Sequence, residues 1–154
     1  MILKRMLNTI SFISVVSAIL LILLVIYWLI YPYKTVKFSY PKFPVLNKNR
    51  TIKRGDNLFY QVDYCKYVDL PSLVTKAFSN DIVFFVPETT GNSPTGCHSV
   101  NIQMQVPADL PMGDFHVMLT YTYQVNPIRS VTVRQETEEF KVVESTQSAV
   151  EPLP

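Results

Sequence analysis

The stretch at residues 114–125, DFHVMLTYTYQV, is the most regular in this chain and decides its class of fold. Its odd-numbered residues are apolar or aromatic, whereas its even-numbered residues are mostly polar. Successive side chains of a β-strand point to opposite faces, so this alternation predicts a strand with one face on a core and the other in water. We therefore expect the stretch to form a wall of the core rather than a binding site.

Comparable segments recur along the chain, separated by Pro, Gly, Asn and Asp. They lie at residues 36–40, 58–64, 74–78, 82–86, 100–106 and 131–142. About seven short strands with no amphipathic helix between them predict a mainly β domain, an antiparallel sandwich or barrel. Asn126-Pro127 suits a turn that joins the opening strand to the last one as a hairpin. The last segment changes parity between Val133 and Phe140, which predicts a bulge or break near residues 135–139.

The sequence DLPMGDFHV, residues 109–117, resembles the approach to the sixth strand of immunoglobulin-like and fibronectin-type domains. Leu110, Gly113 and Phe115 match the L-x-x-G-x-aromatic pattern of those domains. Phe115 lacks the hydroxyl group that a tyrosine corner requires, so the likeness is one of architecture over about 110 residues. The resemblance implies an antiparallel immunoglobulin-like β-sandwich, and it implies no particular activity.

The N-terminal region predicts one transmembrane helix. Residues 10–31 are almost wholly apolar, and 22 helical residues span roughly 33 Å, enough to cross a bilayer core of about 30 Å. Aromatic residues at the far end suit the membrane interface: Tyr27, Trp28, Tyr31 and Tyr33. We expect a short tail over residues 1–9 and an uncleaved signal anchor over residues 10–32. The alternative is a signal peptide that is cleaved near Ser17-Ala18.

Charge is distributed unevenly after the predicted helix. Residues 33–54, expected to form a juxtamembrane segment and the first strand, carry seven basic and no acidic residues. We call these seven the basic collar: Lys34, Lys37, Lys42, Lys48, Arg50, Lys53 and Arg54. The collar suits anionic lipid headgroups, and the alternative is a solvated linker. From Gly55 onward there are five basic and twelve acidic residues. This acidic body carries no recognisable nucleic-acid-binding motif, so we expect no nucleic acid as a partner.

The only two cysteines bear on the compartment. Cys65 and Cys97 both share the polar parity of their segments, which suits a surface cross-link between two strands in an oxidising compartment. We predict a disulfide and a single-pass membrane protein whose C-terminal domain is periplasmic or extracellular. The charges that flank the helix are balanced within short windows, so a cytoplasmic domain with free thiols is the alternative.

We expect residues 55–143 to form the body of the β-sandwich. The longest polar stretch between its predicted strands is ETTGNSPTG, at residues 88–96. Loops on a rigid scaffold commonly carry binding. The candidate recognition loop consists of Glu88, Thr89, Thr90, Gly91, Asn92 and Ser93. The alternative is an ordinary flexible connection. Residues 144–154 are polar with two prolines, and we expect them to be disordered.

The sequence argues against an enzyme. It has no nucleophile elbow, no zinc-protease motif and no glycine-rich phosphate loop. Cys65, Cys97, His98 and His116 lack the regular spacing of a zinc site. We therefore expect no catalytic residue, no cofactor and no metal. The acidic cluster of Glu136, Glu138 and Glu139 is read as a charged strand edge.

These observations favour a non-enzymatic, membrane-anchored β-sandwich. Its expected partners are the bilayer and other proteins, as an accessory or structural subunit of an extracytoplasmic assembly of the envelope, secretion or virion type. The alternative is a cell-surface ligand-binding or adhesion domain that acts through its loops, with the helix as a simple tether. Replacing the span by an unrelated one separates these two hypotheses, because only a tether tolerates replacement.

Overall fold

The computed structural model describes residues 2–31, 33–80 and 82–144, and it consists of one helix followed by β-structure. Helix α1 spans Ile2–Ile30, and one further bond continues it, from the Tyr31 N–H to the Tyr27 carbonyl oxygen at 2.9 Å. The helix begins at Ile2, ahead of the predicted boundary at residue 10, and its apolar segment is Ile10–Ile30. Neither Pro nor Gly interrupts this region, and Leu, Ile, Met, Lys and Arg all tolerate a helix. The predicted disordered tail lies outside the described residues beyond Glu144.

Ten strands follow within the described residues, against about seven predicted. They are β1 Val36–Phe38, β2 Lys42–Phe43, β3 Thr51–Lys53, β4 Asn57–Lys66, β5 Ser72–Ser79, β6 Val83–Gly91, β7 Gly96–Gln105, β8 Gly113–Asn126, β9 Arg129–Thr137 and β10 Phe140–Val143. The difference arises at the ends of the domain. The segment after the helix forms three very short strands rather than one, and the last predicted strand divides in two.

Two sheets face each other across the core. The smaller sheet is antiparallel and has the order β1-β4-β7. The larger sheet is built on β8, which pairs with β5 along one edge and with β10 and then β9 along the other. Strand β6 lies beyond β5, whereas β2 lies beside β9 and β3 beside β10.

The prediction of a purely antiparallel domain is wrong at two pairings, because β2 with β9 and β3 with β10 run parallel. A tight hairpin forces its two strands to run antiparallel, but long stretches of chain separate the members of these two pairs. The segment Val36–Lys53 starts in the smaller sheet and then crosses to the larger one. It closes one side of the space between the sheets.

The alternation in the opening stretch is confirmed. Phe115, Val117 and Leu119 of β8 are fully buried, and Tyr123 of the same parity is nearly so. The facing strand β4 contributes four buried residues to the same core: Leu58, Tyr60, Val62 and Tyr64. Burial of each large apolar side chain stabilises the fold by about 1.5–3 kcal/mol, so this strand pair forms the centre of the core.

The residues of the L-x-x-G-x-aromatic pattern fix the start of β8 in the core. Leu110 and Phe115 are both buried. Gly113 between them has φ +147°, a backbone conformation that residues with a side chain rarely adopt. The glycine therefore lets the chain turn into β8 while the apolar side chains before and after it both reach the core.

The predicted break in the last segment is confirmed between β9 and β10. Thr137 ends β9 and is fully buried. Its hydroxyl oxygen accepts a hydrogen bond from the Val117 N–H at 2.9 Å and donates one to the Glu138 carbonyl oxygen at 2.9 Å. The Glu138 N–H donates to the Phe43 carbonyl oxygen of β2 at 2.8 Å. A side chain thus replaces a backbone partner where the strand changes neighbours.

We predict that Thr137→Val lowers the free energy of unfolding by about 1–3 kcal/mol, because it leaves the buried Val117 N–H without a partner at nearly constant side-chain volume. Urea denaturation of the full chain in detergent, followed by circular dichroism, measures this change. Thr132→Val on the exposed part of β9 is the control, and we expect a change below about 0.5 kcal/mol. Equal effects of the two substitutions would contradict the assigned role of the Thr137 hydroxyl.

The predicted disulfide is present. Cys65 of β4 and Cys97 of β7 are directly opposite each other in the smaller sheet and are bonded. Both lie on the outer, polar face of that sheet beside Asp63 and Ser99. The side-chain hydrogen bonds of Ser99 and then Gln61 lower the pKa of the Asp63 carboxyl group. The bond therefore joins two strands at the surface and leaves the core packing unchanged.

We predict that the double substitution Cys65→Ser, Cys97→Ser lowers the free energy of unfolding by about 3–4 kcal/mol, the chain-entropy value for a loop of this length. The same denaturation experiment measures it, with the parent chain under reducing conditions as the comparison. The reduced parent and the double variant should unfold at the same urea concentration. A reduced parent as stable as the oxidised one would contradict the prediction.

Candidate functional site

The side of the molecule between β6 and β7 is open. Each of these strands has a paired neighbour on one edge only, β5 for β6 and β4 for β7. Within the described part of the chain, nothing pairs with their other edges. A four-residue connection, residues 92–95, joins them at one end. The two sheets are thus closed on one side by the segment from β1 to β3, and no described residue covers the other side.

A cavity of about 330 Å³ lies between the sheets, and it reaches from Val36 and Phe38 of β1 to Ser93 and Pro94 of this connection. The smaller sheet contributes apolar side chains such as Val62, Val100 and Ile102, and the larger sheet contributes Val74 and Leu119. Four tyrosines also line it: Tyr60, Tyr64, Tyr121 and Tyr123. The core is therefore closely filled around Phe115 and less filled toward the loop at residues 92–95.

Burial perturbs the tyrosines of this cavity. Desolvation raises the pKa of Tyr60 and of Tyr121 far above the ordinary value for a phenol, and no hydrogen bond offsets it. Desolvation also raises the pKa of Tyr123, but there a hydrogen bond with Ser72 lowers it in part. The hydroxyl groups of Tyr60 and Tyr121 thus lie in an apolar setting where the neutral phenol is strongly favoured.

Strand β6 exposes apolar side chains. Ile82, just before it, and Val83 and Phe85 within it are exposed, and 76% of the Phe85 surface is accessible. Its only charged residue is Glu88, whose carboxylate accepts a hydrogen bond from the Thr75 hydroxyl group at 3.0 Å. Edge strands are commonly protected by lysine or other charges. Strand β6 has an exposed apolar first half and no basic residue.

Strand β7, the other open edge, differs in character. Its outer face carries Cys97, Ser99, Asn101 and Gln103, which are polar or in the disulfide. Near the cavity, Val100 is exposed and Ile102 is half-buried. The apolar part of β7 therefore faces the space between the sheets, whereas that of β6 also faces outward.

The candidate recognition loop was placed incorrectly. Four of its members, Glu88, Thr89, Thr90 and Gly91, belong to β6, and only Asn92 and Ser93 lie in the connection. Polar composition indicated a loop, but tertiary pairing with β5 extends the strand through these residues. An edge strand can carry polar residues on both faces, and the second half of β6 therefore resembles a loop in the sequence.

A buried lysine holds the short connection in place. Lys66, at the end of β4, is almost fully buried, and its Nζ donates a hydrogen bond to the Ser93 carbonyl oxygen at 2.6 Å. His98 lies nearby, with its Nε2 at 2.9 Å from the Thr95 carbonyl oxygen. Side chains of two strands of the smaller sheet, β4 and β7, therefore hold the connection in place.

Cys65, Cys97, His98 and His116, whose spacing argued against a zinc site, do not form a metal-binding group among the described residues. Cys65 and Cys97 are consumed by the disulfide. His98 faces Tyr64 on the smaller sheet, whereas His116 pairs with Ser79 on the larger one. Among the described residues, no group of three or more potential ligands is arranged to hold a metal ion.

The acidic cluster is neutralised in part by the basic collar. Glu136 lies 3.6 Å from the Nζ of Lys42, and Glu138 lies 3.2 Å from the guanidinium of Arg50. Glu138 also accepts a hydrogen bond from the Val45 N–H at 3.3 Å. These carboxylates attach the segment before β4 to the break between β9 and β10, which is a structural role.

The structure divides the basic collar. Lys34, between the helix and β1, lies over the Tyr67 ring at 5.3 Å, and Lys37 is exposed on β1. The members at residues 48–54 lie on or beside β3, which pairs with β10 and so reaches the Gly113 end of β8. The helix contacts the other end of that 14-residue strand, about 45 Å away at roughly 3.3 Å per residue. The collar is not one cluster beside the helix.

Comparison of the sequence with known protein families and with curated proteins finds no match.

One sequence signal did point to the open edge of β6. The apolar run at residues 82–86 is closed by Pro87, and proline within a sheet is confined to edges, strand starts and bulges. The structure places Pro87 in β6 beside an irregularity in the pairing with β5, between Val74 and Lys76. Periodicity alone could not separate a central strand from an edge strand here, because a continuous apolar run is compatible with both.

The raised pKa values predict alkaline instability. Above about pH 10 the unfolded tyrosines ionise while native Tyr60 and Tyr121 stay protonated, so the unfolded state binds fewer protons. The stabilisation is therefore complete below about pH 10 and is lost as pH rises, by about 1.4 kcal/mol per pH unit for each group. Denaturation at about pH 9 and about pH 11 measures this loss.

The matched variants are Tyr60→Phe and Tyr121→Phe, with Tyr67→Phe at an exposed position as the control. We expect each of the first two to reduce the alkaline loss of stability and the control to leave it unchanged. Native phenolate absorbance should also lack the contribution of these two groups until the protein unfolds. Full ionisation of all tyrosines in the folded protein near pH 10 would contradict the burial of both groups.

Proposed function

We propose that this chain is a single-pass membrane protein whose domain lies outside the cytoplasm and binds another protein through strand β6. It would act without catalysis, as an accessory or structural subunit of an extracytoplasmic assembly of the envelope, secretion or virion type. The observation that carries the proposal is the open edge of β6, with its exposed Val83 and Phe85 and no basic residue.

The helix supports the membrane part of the proposal. Its segment Ile10–Ile30 is long and apolar enough to cross a bilayer, and none of it is buried against the rest of the chain. Side chains as apolar as Phe12 and Leu20 are exposed along it, which is costly in water. The disulfide between Cys65 and Cys97 supports an oxidising compartment for the domain.

The strand order supports an immunoglobulin-like β-sandwich. In such domains two sheets pack face to face, and the central strands of both sheets supply the core. Here β4 and β8 hold these positions, and the L-x-x-G-x-aromatic residues lie at the start of β8. The parallel pairing of β3 with β10 adds a first-strand segment to the larger sheet.

We infer that the occupant of the β6 edge is an extended segment of another protein with apolar side chains at alternate positions. Backbone N–H and C=O groups on an unpaired edge favour addition of a strand. The added strand would cover the exposed side chains of Val83 and Phe85 on one face, and Phe84 and Val86 already face the core side. An apolar alternation on the partner matches this edge, whereas charged residues there would be desolvated at a cost.

Loop-based adhesion, the alternative function, receives less support. The connection at residues 92–95 is short and is held by the Lys66 bond to Ser93. It also lies at the end of the domain that is close to the helix, since Ser72 pairs with both Gly91 and Tyr123. A loop that reaches another cell would be expected at the opposite end.

The test is photo-cross-linking in the native membrane with a photoreactive phenylalanine analogue incorporated at position 85 of the full chain. Position 59 is the matched control, because Phe59 is also an exposed phenylalanine on a strand, at 39% accessibility, but on the central strand of the smaller sheet. We expect a discrete adduct of higher mass from position 85 and none from position 59.

A second substitution tests whether the contact at β6 is specific. With the analogue moved to position 83, the added substitution Phe85→Lys should abolish the adduct while circular dichroism shows the fold intact. An adduct between two copies of this chain would replace the proposed partner by self-association. Equal labelling at positions 85 and 59, or none at either, would refute binding at the β6 edge.

A further inference from the structure

The β8–β9 hairpin touches the end of the helix. The Asn126 side-chain amide donates a hydrogen bond to the Trp28 carbonyl oxygen at 3.1 Å. The Arg129 guanidinium donates two, to the Leu29 carbonyl oxygen at 2.7 Å and to the Tyr31 carbonyl oxygen at 2.9 Å. One residue at the end of each strand therefore binds the same short stretch of helix backbone.

These contacts satisfy groups that a helix leaves unpaired. The last four carbonyl oxygens of an α-helix have no partner within it, and together they carry the negative end of the helix dipole. The Tyr27 carbonyl oxygen is paired by the Tyr31 N–H, and the hairpin pairs those of Trp28 and Leu29. A cation at this position is favourable, and Arg129 supplies it.

Aromatic rings surround the same point. The rings of Tyr27 and Tyr31 have centroids 5.1 Å apart, and those of Tyr31 and Tyr33 are 4.9 Å apart. The Arg129 guanidinium lies 6.0 Å from the centroid of the Tyr33 ring. Tyrosine and arginine at the end of an apolar span are typical of the membrane interface, where a polar group meets water and the ring meets lipid.

The length of the span gives the depth of this contact. The apolar segment Ile10–Ile30 has 21 residues, which is about 32 Å of helix and close to the hydrocarbon thickness of about 30 Å. Ile30 then lies at the hydrocarbon boundary, and the carbonyl oxygens bound by Arg129 lie in the headgroup layer. The turn between β8 and β9 must lie in that layer too.

The turn itself presents an apolar side chain. Pro127 and Ile128 form it, and the Ile128 N–H donates to the Asn126 side-chain oxygen at 3.1 Å. Ile128 is 51% exposed, although it directly precedes the arginine that binds the helix end. In water this exposure would be unfavourable, but in the headgroup layer it places an apolar group against the upper acyl chains.

We propose that the tip of the β8–β9 hairpin is a lipid-contact site, with Ile128 inserted among the lipid headgroups and Arg129 clamping the tip to the helix end. This inference rests on the proposed membrane span. The hairpin tip would contact the bilayer surface that surrounds the helix. The guanidinium of Arg129 has more N–H groups than its two bonds to the helix use, and the others can donate to lipid phosphates. The domain would then be held against the membrane instead of swinging on a linker.

The test uses tryptophan fluorescence of the full chain in phosphatidylcholine vesicles that contain lipids brominated near the headgroup. In the parent chain, Trp28 is the only tryptophan and reports on the span itself. In a Trp28→Phe background, Ile128→Trp reports on the hairpin tip. Met112→Trp in the same background is the control, because Met112 is 59% exposed and lies at the other end of β8.

We expect the brominated lipid to remove most of the emission of the parent chain and of the Ile128→Trp variant, and to leave that of the Met112→Trp variant unchanged. Quenching of Trp28 without quenching of the Ile128→Trp variant would overturn the lipid-contact site and leave the span intact. Absence of quenching in the parent chain as well would refute the span, and the inference would fall with it.

A second pair of variants tests the clamp. Adding Arg129→Ala to the Ile128→Trp variant removes the two bonds to the helix carbonyl oxygens, and we expect quenching to fall to the level of the Met112→Trp control. Arg134→Ala, an exposed arginine of β9 away from the helix, should leave it unchanged. Quenching that survives Arg129→Ala would show that Arg129 does not hold the tip at the membrane.

Discussion

Backbone pairing along both edges of strand β8 is the constraint on which the rest of this protein depends. One edge pairs with β5, and the other pairs with β10 near Gly113 and with β9 near Asn126. One face of the same strand supplies the centre of the core, including Phe115, Val117 and Leu119. Its far end touches the helix through Asn126. The core, the larger sheet and the contact with the helix therefore all depend on one strand.

The described chain covers the space between the two sheets on one side of the domain and not on the other. On one side, the chain between β1 and β3 crosses from the smaller to the larger sheet and covers the space between them. The break after Thr137 makes room for this crossing, since Glu138 pairs with β2 and holds Arg50. No equivalent segment covers the other side within the described residues. A cavity and an apolar edge remain there, and these are the features that a binding partner would cover.

The two proposed contacts would act together. A hairpin tip in the headgroup layer would fix how the domain stands on the membrane, and the β6 edge would then face a constant direction. Gly91, at the end of β6, pairs with Ser72, which also pairs with Tyr123 only a few residues from the hairpin tip. The apolar half of β6 lies toward the other end of the domain, because Val83 pairs with Ser79 and Ser79 pairs with His116, near the start of β8. A partner that binds Val83 and Phe85 would therefore be held at the end of the domain away from the bilayer.

The sequence by itself determined the features that depend on neighbouring residues. The apolar run predicted the helix, the alternation at residues 114–125 predicted the buried face of β8, and Asn126-Pro127 predicted the hairpin turn. The parity of Cys65 and Cys97 predicted a surface disulfide, and the phase change predicted the break before Phe140. Local geometry carries each of these signals, so a short window of residues suffices.

Tertiary structure alone decided which strands lie at an edge, where the collar residues sit and what meets the helix end. The sequence from Glu88 to Gly91 is as polar as a loop, yet pairing with β5 makes it strand. Lys34 and Arg54 are close in the chain, but the crossing between the sheets carries Arg54 toward the far end of β8. Arg129 binds the backbone of Leu29 across 100 positions of sequence. Pairings of this kind depend on which segments meet across long loops, and that information is absent from any local pattern.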